Sequence, residues 1–177
     1  MKYFRIVRNV IEKDDAYFIT GDLVNLHEDH WVSFADRFGD TFRWKGENVS
    51  TMEVEAIINS FPGVDICTVY GVELPNAEGK AGMVAIILES KEPFDINGFS
   101  KFVVENFPKY SIPIFTRIVD ELEFTGTHKL RKINLRKQGY DVTLLKDQIH
   151  IWDFASNRYK IFEKEQYQNL MKGRIKM

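Results

Sequence analysis

From Ser50 onward the apolar residues change period repeatedly, and proline or glycine punctuates the changes, so neither an all-helical nor an all-strand fold can hold this chain. Met52, Val54, Ile57, Ile58 and Phe61 fall at helical spacing, and Pro62-Gly63 ends the run. Ser50-Thr51-Met52-Glu53 in front of them reads as a capping box, in which Ser50 and Glu53 satisfy each other's backbone donors. Two strand candidates follow, Ile66 to Leu74 and Met83 to Glu89, joined by the turn-like stretch Pro75 to Lys80. Phe99, Phe102, Val103 and Phe107 mark a second amphipathic helix stopped by Pro108, and Ile114 to Val119 alternates as a strand. The basic segment Lys129 to Lys137 reads as a helix, Ile149 to Phe154 and Tyr159 to Phe162 as a closing hairpin, and Glu163 to Met171 as a last helix. Helices and strands intermixed in this way predict a small α+β domain from about residue 41.

The residues ahead of it read differently. Residues 3–13 suit a helical turn or a connector. Tyr17 to Ile19 is a strand, and Leu23 to Leu26 with Trp31 to Phe34 flank a polar hairpin tip, His27 to His30. So small a meander is marginal alone and needs something to pack on. Ala35 to Glu47 is charged, carries two glycines and suits a boundary.

Composition excludes some classes. With 14 Phe, 7 Tyr and 3 Trp in 177 residues the chain is too aromatic for general disorder. A formal charge of −2 gives no global bias toward nucleic acid or a membrane surface. No apolar stretch approaches the ~20 residues that span a bilayer, and Met1 to Arg5 lead into no signal-like core. The expectation is a soluble, cytoplasmic chain. The lone Cys67 sits in an apolar run and reads as core rather than nucleophile.

Four stretches carry chemistry. Thr20-Gly21-Asp22 after a strand sets a carboxylate at a tight turn, where it suits a diol such as ribose, or simply the turn. Asp36 to Asn48 suits a flexible junction between rigid bodies, or a solvated loop. Pro108-Lys109-Tyr110-Ser111-Ile112-Pro113 fixes an extended path into the next strand. Phe124-Thr125-Gly126-Thr127-His128-Lys129 places a lysine on a Gly/Thr loop before a basic helix, where an ammonium can meet a phosphate or water. No nucleic-acid-binding motif accompanies these basic residues.

In this order and spacing, the four stretches resemble the adenylate-forming superfamily of acyl-CoA synthetases, adenylation domains and luciferases. Gly39-Asp40-Thr41-Phe42-Arg43-Trp44-Lys45-Gly46-Glu47-Asn48-Val49 and Thr125-Gly126-Thr127-His128-Lys129 look like the fatty-acid-transport/very-long-chain acyl-CoA synthetase branch. The resemblance implies residues 1–39 as the β end of a large N-terminal domain. Residues 40–177 would be the small mobile C-terminal lid, a short central sheet flanked by helices, plus a hairpin. It implies a two-step reaction, in which a carboxylate attacks the α-phosphate of ATP and CoA thiolate then displaces AMP. By position, Asp22 would bind the ribose hydroxyls, and Arg37 the same ribose or the phosphate. Asp40 would be the hinge, Lys129 the catalytic lysine of adenylation, and Gly46 with Glu47 the CoA-facing loop.

ATP, Mg2+, CoA, fatty acid and the large domain are thus the implied partners of the parent enzyme, with no cofactor held tightly by these residues and no metal ligand set. There are departures. Gly46-Glu47-Asn48 replaces the usual Gly-x-Arg, and Thr127-His128-Lys129 the usual Ser-Gly-Lys. The phosphate loop, the adenine-binding stretch and the acyl pocket do not occur in these residues. The 177-residue chain is therefore expected not to make oleoyl-CoA alone, with any membrane association left to the missing part. Two other readings stay open: a free-standing CoA- or nucleotide-binding module docking on a separate adenylating subunit, and a membrane-associated transport protein. Pairing of residues 1–39 with another copy also stays open.

Overall fold

A computed structural model describes residues 5–19, 22–37, 41–124 and 131–174. The chain divides into two compact units, Met1–Asp40 and Thr41–Met177.

The first unit is two hairpins. Strand β1 (Arg5–Arg8) pairs antiparallel with β2 (Ala16–Ile19), and β3 (Asp22–Leu26) with β4 (Val32–Arg37). The expectation of a helical turn over residues 3–13 is corrected here, because Arg5–Arg8 is strand. The loop after it is organised by Asp15, whose carboxylate accepts from the backbone N–H of Val10, Ile11 and Glu12 at 2.9, 2.8 and 2.8 Å. Those three bonds hold the carboxyl below its usual range. A polar tip closes β3 and β4, with His27 N–H donating to Trp31 O at 2.9 Å and His30 at positive φ.

The second unit is built on a five-stranded sheet of order β11-β10-β9-β8-β7. Its strands are β7 (Val64–Val72), β8 (Ala81–Leu88), β9 (Phe115–Ile118), β10 (Gln148–Asp153) and β11 (Arg158–Ile161). Only β8 and β9 run parallel, since the chain between them crosses over through helix α2 (Ile96–Asn106). Helix α1 (Thr51–Ile58) precedes β7, α3 (Lys132–Gln138) follows β9, and α4 (Lys164–Met171) follows β11. This is the mixed α+β domain that the periodicity predicts. One arm of the expected capping box forms at α1, with Ser50 Oγ accepting from Glu53 N–H at 3.3 Å.

Aromatic side chains fill both faces of the sheet. Trp152 and Tyr159 are register partners, and Phe99 of α2 stacks on Tyr159 at 5.5 Å, with Phe61, Phe94 and Phe102 grouped around it. Phe115 is the partner of Ile151, one residue out of phase with Trp152, so it faces the other way. There it stacks on Tyr140 at 4.4 Å and meets Phe162 edge-on. Cys67 is buried in this core, as read from its apolar run. Burial first, then the nearby Glu55 carboxylate, pushes its thiol up to about 12.

A separate two-stranded hairpin, β5 (Thr41–Trp44) and β6 (Glu47–Ser50), leads into α1. Thr41–Ser50 is therefore an ordered hairpin, which corrects the expectation of a flexible charged junction for Thr41 to Asn48; residues 38–40 of that stretch lie outside the described residues. The cause is alternation. Phe42, Trp44 and Val49 point inward and are buried, while Arg43 and its register partner Asn48 point to solvent. Each buried aromatic contributes about 1.5–3 kcal/mol.

Candidate functional site

The Gly46 hairpin is held by backbone geometry before any ligand is considered. Two residues, Lys45 at φ 50° and Gly46 at φ 88°, connect β5 to β6, the left-handed pair that a tight hairpin turn requires. A Cβ on Gly46 would meet nothing within 4 Å. The resemblance suggested that glycine stands here for close approach to a ligand; the structure supplies a local reason, the turn, and leaves open space around it.

Two glycines let the hairpin sit down on the main sheet. Gly71 of β7 and Gly82 of β8 are register partners, and Phe42 lies across both. A Cβ on Gly71 would fall 2.7 Å from Phe42 Cβ, and one on Gly82 would fall 2.9 Å from Phe42 Cζ. On the other edge, Lys80 N–H donates to Arg43 O at 2.7 Å and Gly79 bridges to Trp44. At the tip, the Lys45 ammonium lies 5.6 Å from the Trp44 ring centroid and 4.8 Å from that of Phe154, in the turn between β10 and β11. Such contacts are worth about 0.5–1 kcal/mol each at exposed sites. Gly46 and Glu47 are thus presented on a fixed support.

The second predicted feature, Lys129, lies outside the described residues, as do His128 and the hinge position Asp40. The residues on either side of the lysine's segment are described. Arg131 N–H donates to Glu123 O at 2.8 Å, and Asn134 Nδ2 donates to the Glu123 carboxylate at 2.8 and 3.0 Å. Next along, Lys132 Nζ meets Glu55 Oε1 at 3.0 Å and donates to Thr51 Oγ1 at 2.9 Å. Glu55 Oε1 also accepts from Val69 N–H at 2.7 Å and from Thr68 Oγ1 at 3.1 Å. The Lys132 and Glu55 side chains are 13% and 19% exposed, so water screens this pair poorly. A cleft of about 480 Å3 is lined by Glu123, Arg131, Asn134 and Arg117. Arg117 is buried and spoken for, donating to Asp147 Oδ2 and Gln138 Oε1 at 2.8 Å each.

In the first unit, Asp22 opens β3 and Arg37 closes β4, and the two are Cα partners in the ladder. The pair predicted to hold one nucleotide therefore shares one register position. Among the described residues no group of three or more His, Cys, Asp or Glu is placed to hold a metal ion. None of their helices is long and apolar enough to cross a membrane.

Comparison with known proteins decides the family. Residues 53–129 match the AMP-binding enzyme C-terminal domain. This stretch belongs to that family. The similarity extends beyond the domain. The chain is 39% identical over 173 residues to long-chain fatty acid transport protein 6 of Mus musculus, covering 98% of this chain and 28% of that protein. It is 39% identical over 170 residues to the medium/long-chain-fatty-acid–CoA ligase FadD6 of Mycobacterium tuberculosis, covering 96% of this chain and 28% of the ligase.

Among solved structures, ATP-bound MatB from Rhodopseudomonas palustris aligns with a TM-score of 0.63 at 27% identity, over 73% of this chain and 26% of that one. The o-succinylbenzoate CoA synthetase MenE of Bacillus subtilis, in complex with its acyl-adenylate intermediate, aligns with a TM-score of 0.58 at 30% identity, over 69% and 24%. The chain thus spans little more than a quarter of these curated relatives. Sequence reasoning singled out Gly46 and Lys129 as candidates but missed the contacts among the described residues near them. The Gly71–Gly82 notch carried a readable signal, two glycines inside apolar strands. The Lys132–Glu55 contact had none, because it joins residues far apart in sequence.

Proposed function

We propose that this chain is the C-terminal portion of an ATP-dependent fatty acid–CoA ligase, cytoplasmic and peripheral to membranes only through the rest of the protein. The observation that carries the reading is the near-complete coverage of the chain by fatty acid transport proteins and a fatty-acid–CoA ligase. The likeness to structures that bind ATP and an acyl-adenylate supports it.

On this reading residues 1–39 complete the large domain that holds most of the substrates, and the AMP-binding enzyme C-terminal domain turns about Asp40. In the first half-reaction the Lys129 ammonium faces the charge that builds on the α-phosphate of ATP, delivered with Mg2+, and on the attacking fatty carboxylate. A preorganised donor so aimed is worth about 3–4 kcal/mol. Asp22 accepts hydrogen bonds from the ribose hydroxyls, and Arg37 holds the ribose or the phosphate. In the second half-reaction the domain presents the Gly46–Glu47 turn, and CoA thiolate displaces AMP from the acyl-adenylate. The preset turn suits that work, because its backbone is already in the required conformation and its surroundings are open.

The test is Lys129→Ala in the full-length protein. Acyl-AMP formation should fall by about two to three orders of magnitude, and thioester formation from supplied acyl-AMP should stay within a few-fold of wild type. Equal loss of both half-reactions refutes the role given to Lys129. An upstream partner encoded as a separate polypeptide would favour a docking module instead.

A further inference from the structure

We infer that Glu55 and Lys132, with Thr51, are positioning residues that set where the Lys129 segment is held. The inference rests on the function proposed above. Helix α3 is a weak platform by itself. It is seven residues long, none of them is buried, and its N-cap, Arg131, makes no side-chain capping bond. Yet its first residue sends an ammonium into a mostly enclosed site between α1 and β7. Two oxygens receive it there, Glu55 Oε1 at 3.0 Å and Thr51 Oγ1 at 2.9 Å.

The receiving carboxylate is itself pinned, because Glu55 Oε1 accepts from Val69 N–H and Thr68 Oγ1 on β7, the edge strand of the main sheet, where both residues are fully buried. The position of Lys132 is therefore referred, through Glu55, to the main sheet. Lys132 stands three residues beyond Lys129. On the other side, Glu123 ties the chain back to Arg131 and Asn134. The described residues on either side, Glu123 and Arg131, are thus tied to each other, and Lys132 is tied through Glu55 to β7.

The same contact bears on the hairpin only lightly. The β5–β6 hairpin has its own supports in Phe42 on the glycine pair, Lys80 N–H on Arg43 O, and Lys45 against Phe154. Loss of the Glu55–Lys132 pair should therefore shift the first turn of α3, whose later residues keep Glu123 and Arg117 as partners, and leave the Gly46 turn in place. An ångström of misplacement at a reacting centre costs about 100-fold in rate, so the consequence should appear in one half-reaction and not the other.

The experiment compares Glu55→Gln, Lys132→Met and Lys132→Arg with Lys129→Ala in the full-length protein, measuring both half-reactions and thermal unfolding. Glutamine at 55 keeps an acceptor for Val69 N–H and removes the charge, so the core strand keeps its partner. Glu55→Gln and Lys132→Met should lower acyl-AMP formation about 10- to 100-fold, with thioester formation from supplied acyl-AMP within about twofold. Lys132→Arg should recover most of the loss. Hydrogen exchange should quicken over 124–131 and stay unchanged over β7 and β8.

Wild-type adenylation in folded Glu55→Gln and Lys132→Met, alongside a defective Lys129→Ala, would overturn the positioning role and leave the proposed function standing. Equal loss of both half-reactions with a lowered melting temperature would overturn it too, by showing a general structural role. An undiminished Lys129→Ala would remove the proposed function and this inference with it.

Discussion

Replacing Gly79 with alanine should unseat the Gly46 hairpin, and the size of the effect can be worked from the structure. Gly79 sits at φ 86°, and an added Cβ would lie 2.2 Å from the backbone oxygen of Arg43. Neither atom is the end of a flexible side chain, so the two segments must part by about an ångström. The left-handed conformation alone costs an alanine about 1–2 kcal/mol. Parting the segments also breaks the Lys80 N–H bond to Arg43 O, worth about 0.5–1.5 kcal/mol. It loosens Trp44, which is 2% exposed and whose burial is worth about 1.5–3 kcal/mol in full. The total is about 3–4 kcal/mol.

Gly46→Ala provides the control. Its φ of 88° is nearly the same, but nothing lies within 4 Å of the added carbon, so only the backbone cost of about 1–2 kcal/mol applies. For the unit Thr41–Met177, 1 kcal/mol corresponds to about 3–4 °C in melting temperature. The melting temperature followed by circular dichroism should drop by about 10–14 °C for Gly79→Ala and about 3–8 °C for Gly46→Ala. The near-ultraviolet signal of Trp44 should weaken only in the first. Equal shifts for the two variants would show that the contact between Gly79 and the hairpin carries no stability, and the account of a fixed support would fail.

Cys67 should resist a neutral disulfide reagent at pH 8 in the folded chain, because burial pushes its thiol up to about 12, and should react fully in denaturant; prompt labelling of folded protein would contradict its place in the core. His150 is buried on β10 with Nδ1 unpartnered, and burial lowers its pKa. The folded state therefore disfavours the proton that the unfolded chain takes up. Its contribution is fully present above about pH 6.5 and is lost as pH falls toward the lowered folded value. The urea midpoint of the chain should fall between pH 7 and pH 5, and His150→Leu should fall less; parallel slopes would exclude His150 as the source.

Most elements from Ser50 onward are legible because they bury apolar residues in a regular pattern, α3 being the exception with no buried residue. Val64–Val72 and Ala81–Leu88 are the two central apolar runs, and α2 shows Phe99, Phe102 and Val103 at the right spacing. The hairpin Thr41–Ser50 was misread because its outward residues are charged and its turn holds glycine, the composition of a loop. The inward set Phe42, Trp44 and Val49 was present but only three residues long. Gly46 and Lys129 are candidates through wording shared with a family, which points to chemistry and is silent on support. The contacts nearby, Phe154 under Lys45 and Glu55 against Lys132, come from residues brought together only by the tertiary fold. Neither pair has a local pattern, so no reading of a single strand or helix reveals it.

The two units differ in how far each satisfies its own apolar surface, and this bears on the proposed division of labour. Thr41–Met177 encloses a continuous core on both faces of its sheet. In the first unit, by contrast, Ile11, Leu26 and Trp31 are each more than 70% exposed, and Ile6, Val10, Phe18, Val24 and Val32 are at least half exposed. Two short hairpins displaying so many large apolar side chains do not stand alone in water at any useful stability. A domain that turns must carry its core with it, whereas a segment that completes another body must offer its apolar face to that body. The second unit meets the first requirement and the leading hairpins meet the other. On the proposed reading, the moving part of the ligase therefore begins with the strand that opens at Thr41, and the residues before it stay with the nucleotide.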